Sequence, residues 1–404
     1  MIEDLRVGFR HLSFRYYVPS LLSTTGTMML VPTLPLYVRA QSESLVLVSI
    51  VLSAAAFGGL VGNLPSGALV GRIGERAGFL VGTALSAIGT AGLAASGGLW
   101  LPFAACLLAG AGQSCRLLAR QSYARRYIGP GIRGRLLALY GGIGRVALLL
   151  GPLLGGVLAQ RIGFPLTFTV AASLMVLGLI QGALAGGSEP IVTRPEPTGE
   201  TARTTYAMVA RGHGRIIALA GLGQLGMAVV RFGRLILIPL YGSEVLDLSV
   251  AEIGLVVTMA SGLDLLLFPL AGWVMDHFGR LYAIVPSLVM LSLGMMMLPL
   301  AQSFRSLAVV ALVIGLGNGL GSGTMLTLST DLAPANDPAE FLSMLRLLAD
   351  LGRILGPIVV GFIGQHFDLG SSGLVLGGIG MATALLFARV IGESRAHDAP
   401  DHRR

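Results

Sequence analysis

The chain contains no lysine; all 28 of its basic residues are arginine. That absence excludes an ATP-driven pump encoded in this chain, because a GxxxxGK[ST] phosphate loop needs the lysine that reaches the β- and γ-phosphates. Charge of either sign is scarce, at 12% of 404 residues, while apolar residues make up 54% and mean hydropathy is +0.79. Soluble globular proteins do not have that balance, and chains of membrane spans do. The formal net charge of +8 would suggest nucleic acid in a soluble protein. Here most arginines lie in short loops between apolar runs, which makes this topology charge, and no nucleic-acid partner is expected. Of the two cysteines, Cys106 and Cys115 share one apolar stretch, nine positions apart. A helical rise of about 1.5 Å per residue separates them too far to bridge, so they say nothing about redox compartment. No metal, no cofactor and no enzyme activity is expected.

What the chain has is long apolar runs. Stretches of about 20 apolar residues suffice to cross a hydrocarbon core of about 30 Å. They fall near 16–38, 45–66, 77–96, 99–122, 136–159 and 164–185, and again near 215–240, 251–273, 281–300, 304–328, 343–364 and 372–392. Arg6, Arg10 and Arg15 before the first run imitate a secretory signal, but that run is too long and many more follow, so it reads as a first span. Between the two sets, residues 186–214 form one long polar stretch with Pro190, Pro195 and Pro197, the composition of a linker. The expectation is an all-α integral membrane protein of twelve transmembrane helices in two six-helix halves: 1–185, a cytoplasmic linker at 186–214, and 215–404 with a short cytoplasmic tail.

Arginine placement orients it. With a cytoplasmic N-terminus, the inside loops hold Arg72, Arg76, Arg125, Arg126, Arg133, Arg135 and Arg280 among others, against Arg39, Arg161 and Arg305 outside. Trp100 and Trp273 both fall at span ends, where an amphipathic ring suits the headgroup zone. The expected location is the cell's inner membrane, with the bilayer as solvent and both termini cytoplasmic.

One polar phrase occurs twice. GALVGRIGER occupies 67–76 and GWVMDHFGRL occupies 272–281, 205 positions later, so that Gly67 aligns with Gly272 and Gly74 with Gly279. Each copy lies in the cytoplasmic turn after the second span of its half. The phrase resembles the signature of the major facilitator superfamily: a glycine, an acid four residues on, a glycine three further, then basic residues. Gly272, Asp276, Gly279 and Arg280 match it, as do Gly67, Arg72, Gly74 and Arg76, while Gly71 stands where the first copy would carry the acid. The resemblance covers essentially the whole chain and implies two parallel halves that provide alternating access. Glycines let such a turn pass tightly between helix ends, and the acid can bridge to a cation or a helix N-terminus.

Two further phrases resemble the twelve-span drug:proton antiporter branch of that superfamily. Gly151, Pro152, Gly155 and Gly156 form a glycine-proline phrase in the fifth span, repeated in part by Gly352, Gly356 and Pro357 in the eleventh, and Gly26, Pro32 and Pro35 occupy the first. Kinks and close helix contacts at such places can act as hinges, or can be packing alone. GLGQLG at 221–226 imitates a dinucleotide fingerprint but lies inside an apolar helical run, and reads as packing. Gly315, Gly319 and Gly323 step along the tenth span as a small-residue face.

Charges inside spans are the informative remainder. Each costs about 2.5–3.5 kcal/mol at the bilayer centre and should face a cavity or a partner. Arg120 and Arg346 can snorkel. Arg116, Arg231 and Arg234 fall on the fourth and seventh spans, which in the fold implied by the resemblance line the central cavity. That cavity would then be positive and suit an anionic or neutral small-molecule substrate. Asp264 and Asp350 are the two carboxylates within spans and the candidate proton-coupling groups. Asp264 can pair with Arg145, and Asp350 with Arg346 or Arg353 at helical spacing; such pairs can equally be structural.

The expected function is a secondary transporter exporting a small organic molecule in exchange for protons. An organic-anion uptake symporter and a non-transporting sensor or assembly protein on the same fold are the alternatives. In a chain whose native cysteines are replaced, Glu196→Cys should label from the cytoplasm and Asp368→Cys from outside; labelling of both from one face would contradict twelve spans.

Overall fold

The structure, a computed structural model, describes residues 17–95, 98–127, 130–184, 206–334 and 338–391. All regular structure among them is helical. In chain order the α-helices are α1 (Val18–Arg39), α2 (Leu45–Ile73), α3 (Glu75–Gly92), α4 (Trp100–Tyr127), α5 (Pro130–Leu184), α6 (Tyr206–Glu244), α7 (Val250–His277), α8 (Leu281–Met296), α9 (Phe304–Leu320), α10 (Thr324–Leu332), α11 (Pro338–His366) and α12 (Leu369–Leu386). Ten helices among the described residues are long and apolar enough to cross a membrane. A count of twelve crossings takes α5 as two, because its Gly144–Leu184 stretch of 41 residues bends at Gly163, and adds the 18-residue α3. Of the linker expected at 186–214, residues up to 205 lie outside the described ones. From Tyr206 the chain is helical, with a break at His213.

Contacts divide the chain into two compact units, Met1–Thr198 with Leu248–Thr258, and Gly199–Asp247 with Met259–Arg404. In the first, α1 packs along α5, and α4 packs on both α2 and α3. In the second, α6 packs on α11 and α12, and α8 on α9 and α12. Helices start where a side chain can take up a free N–H: Ser44 accepts from Leu47 at α2, Ser303 and Ser306 form a capping box at α9, and Asp368 accepts from Ser371 at α12. The Asp368 carboxyl is held below its ordinary range by those Ser371 hydrogen bonds. Buried hydroxyls donate back along their own helices, as Thr33 does to the Met29 carbonyl and Thr83 to that of Phe79, each at 2.8 Å. Large side chains such as Leu64, Leu184, Leu266 and Leu326 stay exposed, as lipid-facing residues do.

Small residues set the helix spacing. A Cβ at Gly151 would strike Met28 and one at Gly155 the Met29 carbonyl, so these glycines seat α5 on α1. Gly352 and Gly356 do the same for α11 on α6, with Cβ positions 2.5 Å from the Leu225 oxygen and 2.6 Å from that of Val229. A Cβ at Gly156 would lie 2.9 Å from the Gly254 Cα, and Pro152 and Pro357 sit inside their helices. The glycine-proline phrases thus mark close helix contacts. The GLGQLG glycines likewise abut Leu348, Phe387 and Thr383.

The tenth span departs from expectation, since it is not one helix. α9 ends at Leu320, the chain turns through Gly321, Ser322 and Gly323, and α10 begins at Thr324. Gly315 and Gly319 do pack, onto Ala260 and Asp264 of α7. Gly323 instead has φ +81°, a left-handed conformation that permits the break.

The repeated turns share geometry and differ in chemistry. Gly74 and Gly279, the aligned second glycines, have φ +85° and +114°. Gly67, Gly71 and Gly272 have open space where a Cβ would be. In the second turn Arg280 donates to Asp331 at 2.9 Å and meets Asp276 at 3.4 Å. Asp331, chiefly through that hydrogen bond, holds the Arg280 guanidinium above its usual range. In the first, where Gly71 stands for the acid, buried Glu75 accepts from Ser122 at 3.0 Å, and Arg76 donates to the Ala183 carbonyl at 2.8 Å.

Gly279→Ala should therefore cost about 1–2 kcal/mol of stability through left-handed strain, whereas Gly272→Ala should stay within about 0.5 kcal/mol. Thermal unfolding of the purified protein in detergent compares them, and equal losses would contradict the assigned turn. By the same measurement Asp331→Asn should destabilise by about 0.5–1 kcal/mol and Asp276→Asn, whose side chain is 75% exposed, by less.

Candidate functional site: a polar cluster at the helix break

The break between α9 and α10 leaves backbone groups without a helical partner inside an apolar span, and the second unit supplies side chains to meet them. Arg231 of α6 donates through Nη2 to the Gly321 carbonyl at 2.8 Å, and Thr324 donates its hydroxyl to the same oxygen at 2.8 Å. Ser287 of α8 donates to the Gly317 carbonyl at 2.6 Å. Closed-up backbone makes the fit tight: a Cβ at Gly321 would collide with both Ser287 and Arg231.

Asp264 lies on the other side of the break. It is 8% exposed on α7, and its Oδ2 accepts from the Asn318 amide at 2.6 Å while its Oδ1 accepts from the Ser322 hydroxyl at 3.1 Å. Its backbone lies close enough to α9 that only glycine fits at 319. One turn beyond Arg231, Arg234 of α6 lies within the electrostatic reach of Asp264. The Arg234 Nε is buried with no hydrogen-bond partner among the described residues.

The candidate residues therefore separate. Arg231, Arg234 and Asp264 converge, together with Asn318 and Ser322, which sequence reading passed over. Asp350 forms a distinct pair on α11: Arg353 Nη1 reaches its Oδ1 at 3.1 Å, and the Arg353 guanidinium lies 4.8 Å over the Phe232 ring. Of the two arginine partners that helical spacing allowed, the structure pairs Arg353. In the first unit Arg116 is buried on α4, its backbone and Cγ against Gly82 of α3, and Arg145 is half-buried on α5. The Asp264 contacts above come from its own unit. One signal for the missed residues was present: the run GNGLGSG at 317–323 puts two polar residues among glycines inside a span, the pattern of an interrupted helix. Read only as a stripe of glycines, it concealed the break.

Chemically, the cluster offers a buried carboxylate, two guanidinium groups and an interrupted helix in one place. Such charges inside a span, gathered at an interrupted helix, are the features from which a site in a membrane protein is built.

Comparison with known proteins agrees with this architecture. The chain is similar to the multidrug resistance protein MdtH of Shigella flexneri, 25% identical over 387 residues that cover 94% of each protein. The same values hold for MdtH of Escherichia coli strain K12 / DH10B. Among solved structures it resembles a POT family transporter in complex with a thioalcohol-conjugated peptide, with a TM-score of 0.74 at 15% identity over 94% of this chain and 95% of that one. It also resembles a D-xylose-proton symporter, with a TM-score of 0.72 at 16% identity over 95% and 99%. The sequence profile of the Major Facilitator Superfamily matches residues 20–223 and 220–403, and with its helices, its repeated turn and its paired glycine-proline contacts this multi-pass membrane protein belongs to that superfamily of transporters.

Proposed function

We propose that the protein is a proton-driven secondary transporter that exports a small organic molecule across the cytoplasmic membrane by alternating access, with both termini in the cytoplasm and Asp264 as the group that carries the proton. The observation that carries this reading is what holds Asp264. Two of its hydrogen-bond partners, Asn318 and Ser322, are an amide and a hydroxyl, each able to accept as well as donate. A protonated Asp264 can therefore be satisfied by the same two side chains after an amide turn or a hydroxyl rotation. Arginine has no acceptor, so Asp350, held by Arg353, lacks that option and serves as a structural charge pair. Similarity to proteins named multidrug resistance proteins supports export, as do the glycine-proline contacts.

A second reading, uptake of an organic anion together with a proton, is favoured by Arg231 and Arg234 beside Asp264. A substrate-dependent proton flux in liposomes would separate either from a non-transporting sensor.

Asp264→Asn mimics the protonated state. It should fold, bind and exchange substrate in counterflow, yet lose proton-driven uptake into everted vesicles. Asp350→Asn should instead lower folded yield, by about 1–2 kcal/mol since Arg353 is one-third exposed. Full pH-gradient-driven transport by Asp264→Asn would remove that residue from the mechanism.

A further inference from the structure

Where α6 enters the membrane its path breaks. Residues 211–215 read RGHGR, and within them His213 leaves the helical range, with φ −125° and ψ 18°. Packing holds the break in place. Val209 before it and Ile217 after it are buried with Phe341 and Leu345 of α11 in one apolar cluster, against which Leu332 and Ala333 also pack, and the His213 ring meets that of Phe341 edge-on at 6.5 Å. The outer side of the same corner is open. Arg211, Arg215 and Ile216 are exposed, the last at 43%, and a Cβ at Gly212 or Gly214 would meet nothing within 4 Å.

We propose that this corner binds the anionic phospholipids of the surrounding bilayer, with Arg211 and Arg215 holding headgroup phosphates and Ile216 reaching the acyl boundary. Depth supports it. From Gly214 to Glu244, α6 rises about 45 Å at about 1.5 Å per residue, the thickness of a bilayer with its headgroups, so the corner falls at headgroup level. A basic segment with an apolar side chain beside it is the composition that settles on an anionic membrane surface. The proposal depends neither on Asp264 nor on the direction of transport.

The partners of other arginines at helix ends sharpen the contrast. Arg39 donates to the Ser42 carbonyl at 3.0 Å, Arg76 to the Ala183 carbonyl at 2.8 Å and Arg280 to Asp331 at 2.9 Å. Arg211 and Arg215 have no hydrogen-bond or ion-pair partner among the described residues. Glu340, next to Phe341, lies in the first turn of α11, where the helix dipole already favours a carboxylate. A guanidinium at headgroup level with no acceptor from its own chain finds one in a phosphate, which it can engage through two parallel N–H donors. The linker competes weakly. Residues 186–205 carry Glu189, Glu196 and Glu200 against Arg194 and Arg203 and are nearly neutral, whereas an anionic bilayer surface attracts each basic residue near it.

With only two tryptophans in the chain, the corner can be read alone. The full chain carrying Trp100→Phe, Trp273→Phe and Ile216→Trp is purified and reconstituted in phosphatidylcholine vesicles. Quenching of its fluorescence by dibrominated phosphatidylglycerol is compared with quenching by dibrominated phosphatidylcholine at equal mole fraction. Phosphatidylglycerol should be preferred about three- to tenfold at low salt, and the preference should fall toward onefold at about 0.5 M salt. Arg211→Gln with Arg215→Gln should abolish it, while Arg211→Lys with Arg215→Lys should retain most of it. Both side chains being exposed, the Gln pair should unfold at the parent's temperature in pure phosphatidylcholine vesicles. In a second reporter that keeps Trp100 as its one tryptophan and Ile216 unchanged, the arginine substitutions should leave quenching as it was.

Equal quenching by the two lipids in the parent reporter, or a preference that survives in the Gln pair, would overturn the proposal. So would loss of the preference on adding inorganic phosphate at constant ionic strength, which makes the corner a site for a soluble anion. A preference that emerges only after Glu189→Gln, Glu196→Gln and Glu200→Gln would assign the two arginines to the linker and overturn it equally.

Discussion

Hydrocarbon accepts no hydrogen bond, and most of this chain is arranged around that constraint. A polar group in a span must be met by another part of the protein, at a cost of several kcal/mol if it is not. Most spans meet it trivially, with helical backbone satisfied internally and hydroxyls such as Thr33, Thr83 and Ser292 turned back to the carbonyl four residues earlier. The interruption at 321–323 cannot be met that way. It draws Arg231 and Thr324 to the Gly321 carbonyl and Ser287 to the Gly317 carbonyl, and places Asn318 and Ser322 where they can hold Asp264. The polar cluster described in the second unit follows from breaking one helix.

The repeated cytoplasmic turn shows a geometric solution surviving a change of chemistry. Both copies need a residue with positive φ, and both place glycine there, at 74 and 279. The next position is Glu75 in one and Arg280 in the other, and each is tied to the helix that follows the next span: Glu75 to Ser122 of α4, Arg280 to Asp331 of α10. The sign of charge has inverted while the tie has remained. An acid missing at Gly71 is therefore no defect in the first turn, because the neighbouring helix is held from Glu75 instead, and Arg76 adds a link to the end of α5.

Much of the architecture was legible from residue order alone. Runs of apolar residues, two tryptophans at span ends and a phrase recurring 205 positions on led to a two-part helical membrane protein. The Asp350–Arg353 pair was legible as well, because helical spacing determines which residues on one helix can touch. Asn318, Ser322 and Asp331 were not, since their partners lie on other helices and an uncharged residue in a span gives little signal by itself. The glycines of α9 misled for a related reason: glycine serves close packing at 315 and 319 and a left-handed turn at 323, and the letter is the same for both.

What distinguishes Asp264 from the other buried charges is the nature of its ties rather than its burial. Arg353 sits between a carboxylate and an aromatic face, two contacts that both want it cationic. Neutralising Asp350 would strand it, so that pair is suited to a single charge state. Asp264 is tied to groups that can reverse their hydrogen bonds, and one of them, Ser322, also donates to the Asn318 carbonyl at the end of α9. Both residues flank the interruption, where the backbone has the fewest helical bonds to lose. The proton step proposed for Asp264 would therefore act on the break between α9 and α10 rather than against the ladder of an intact helix.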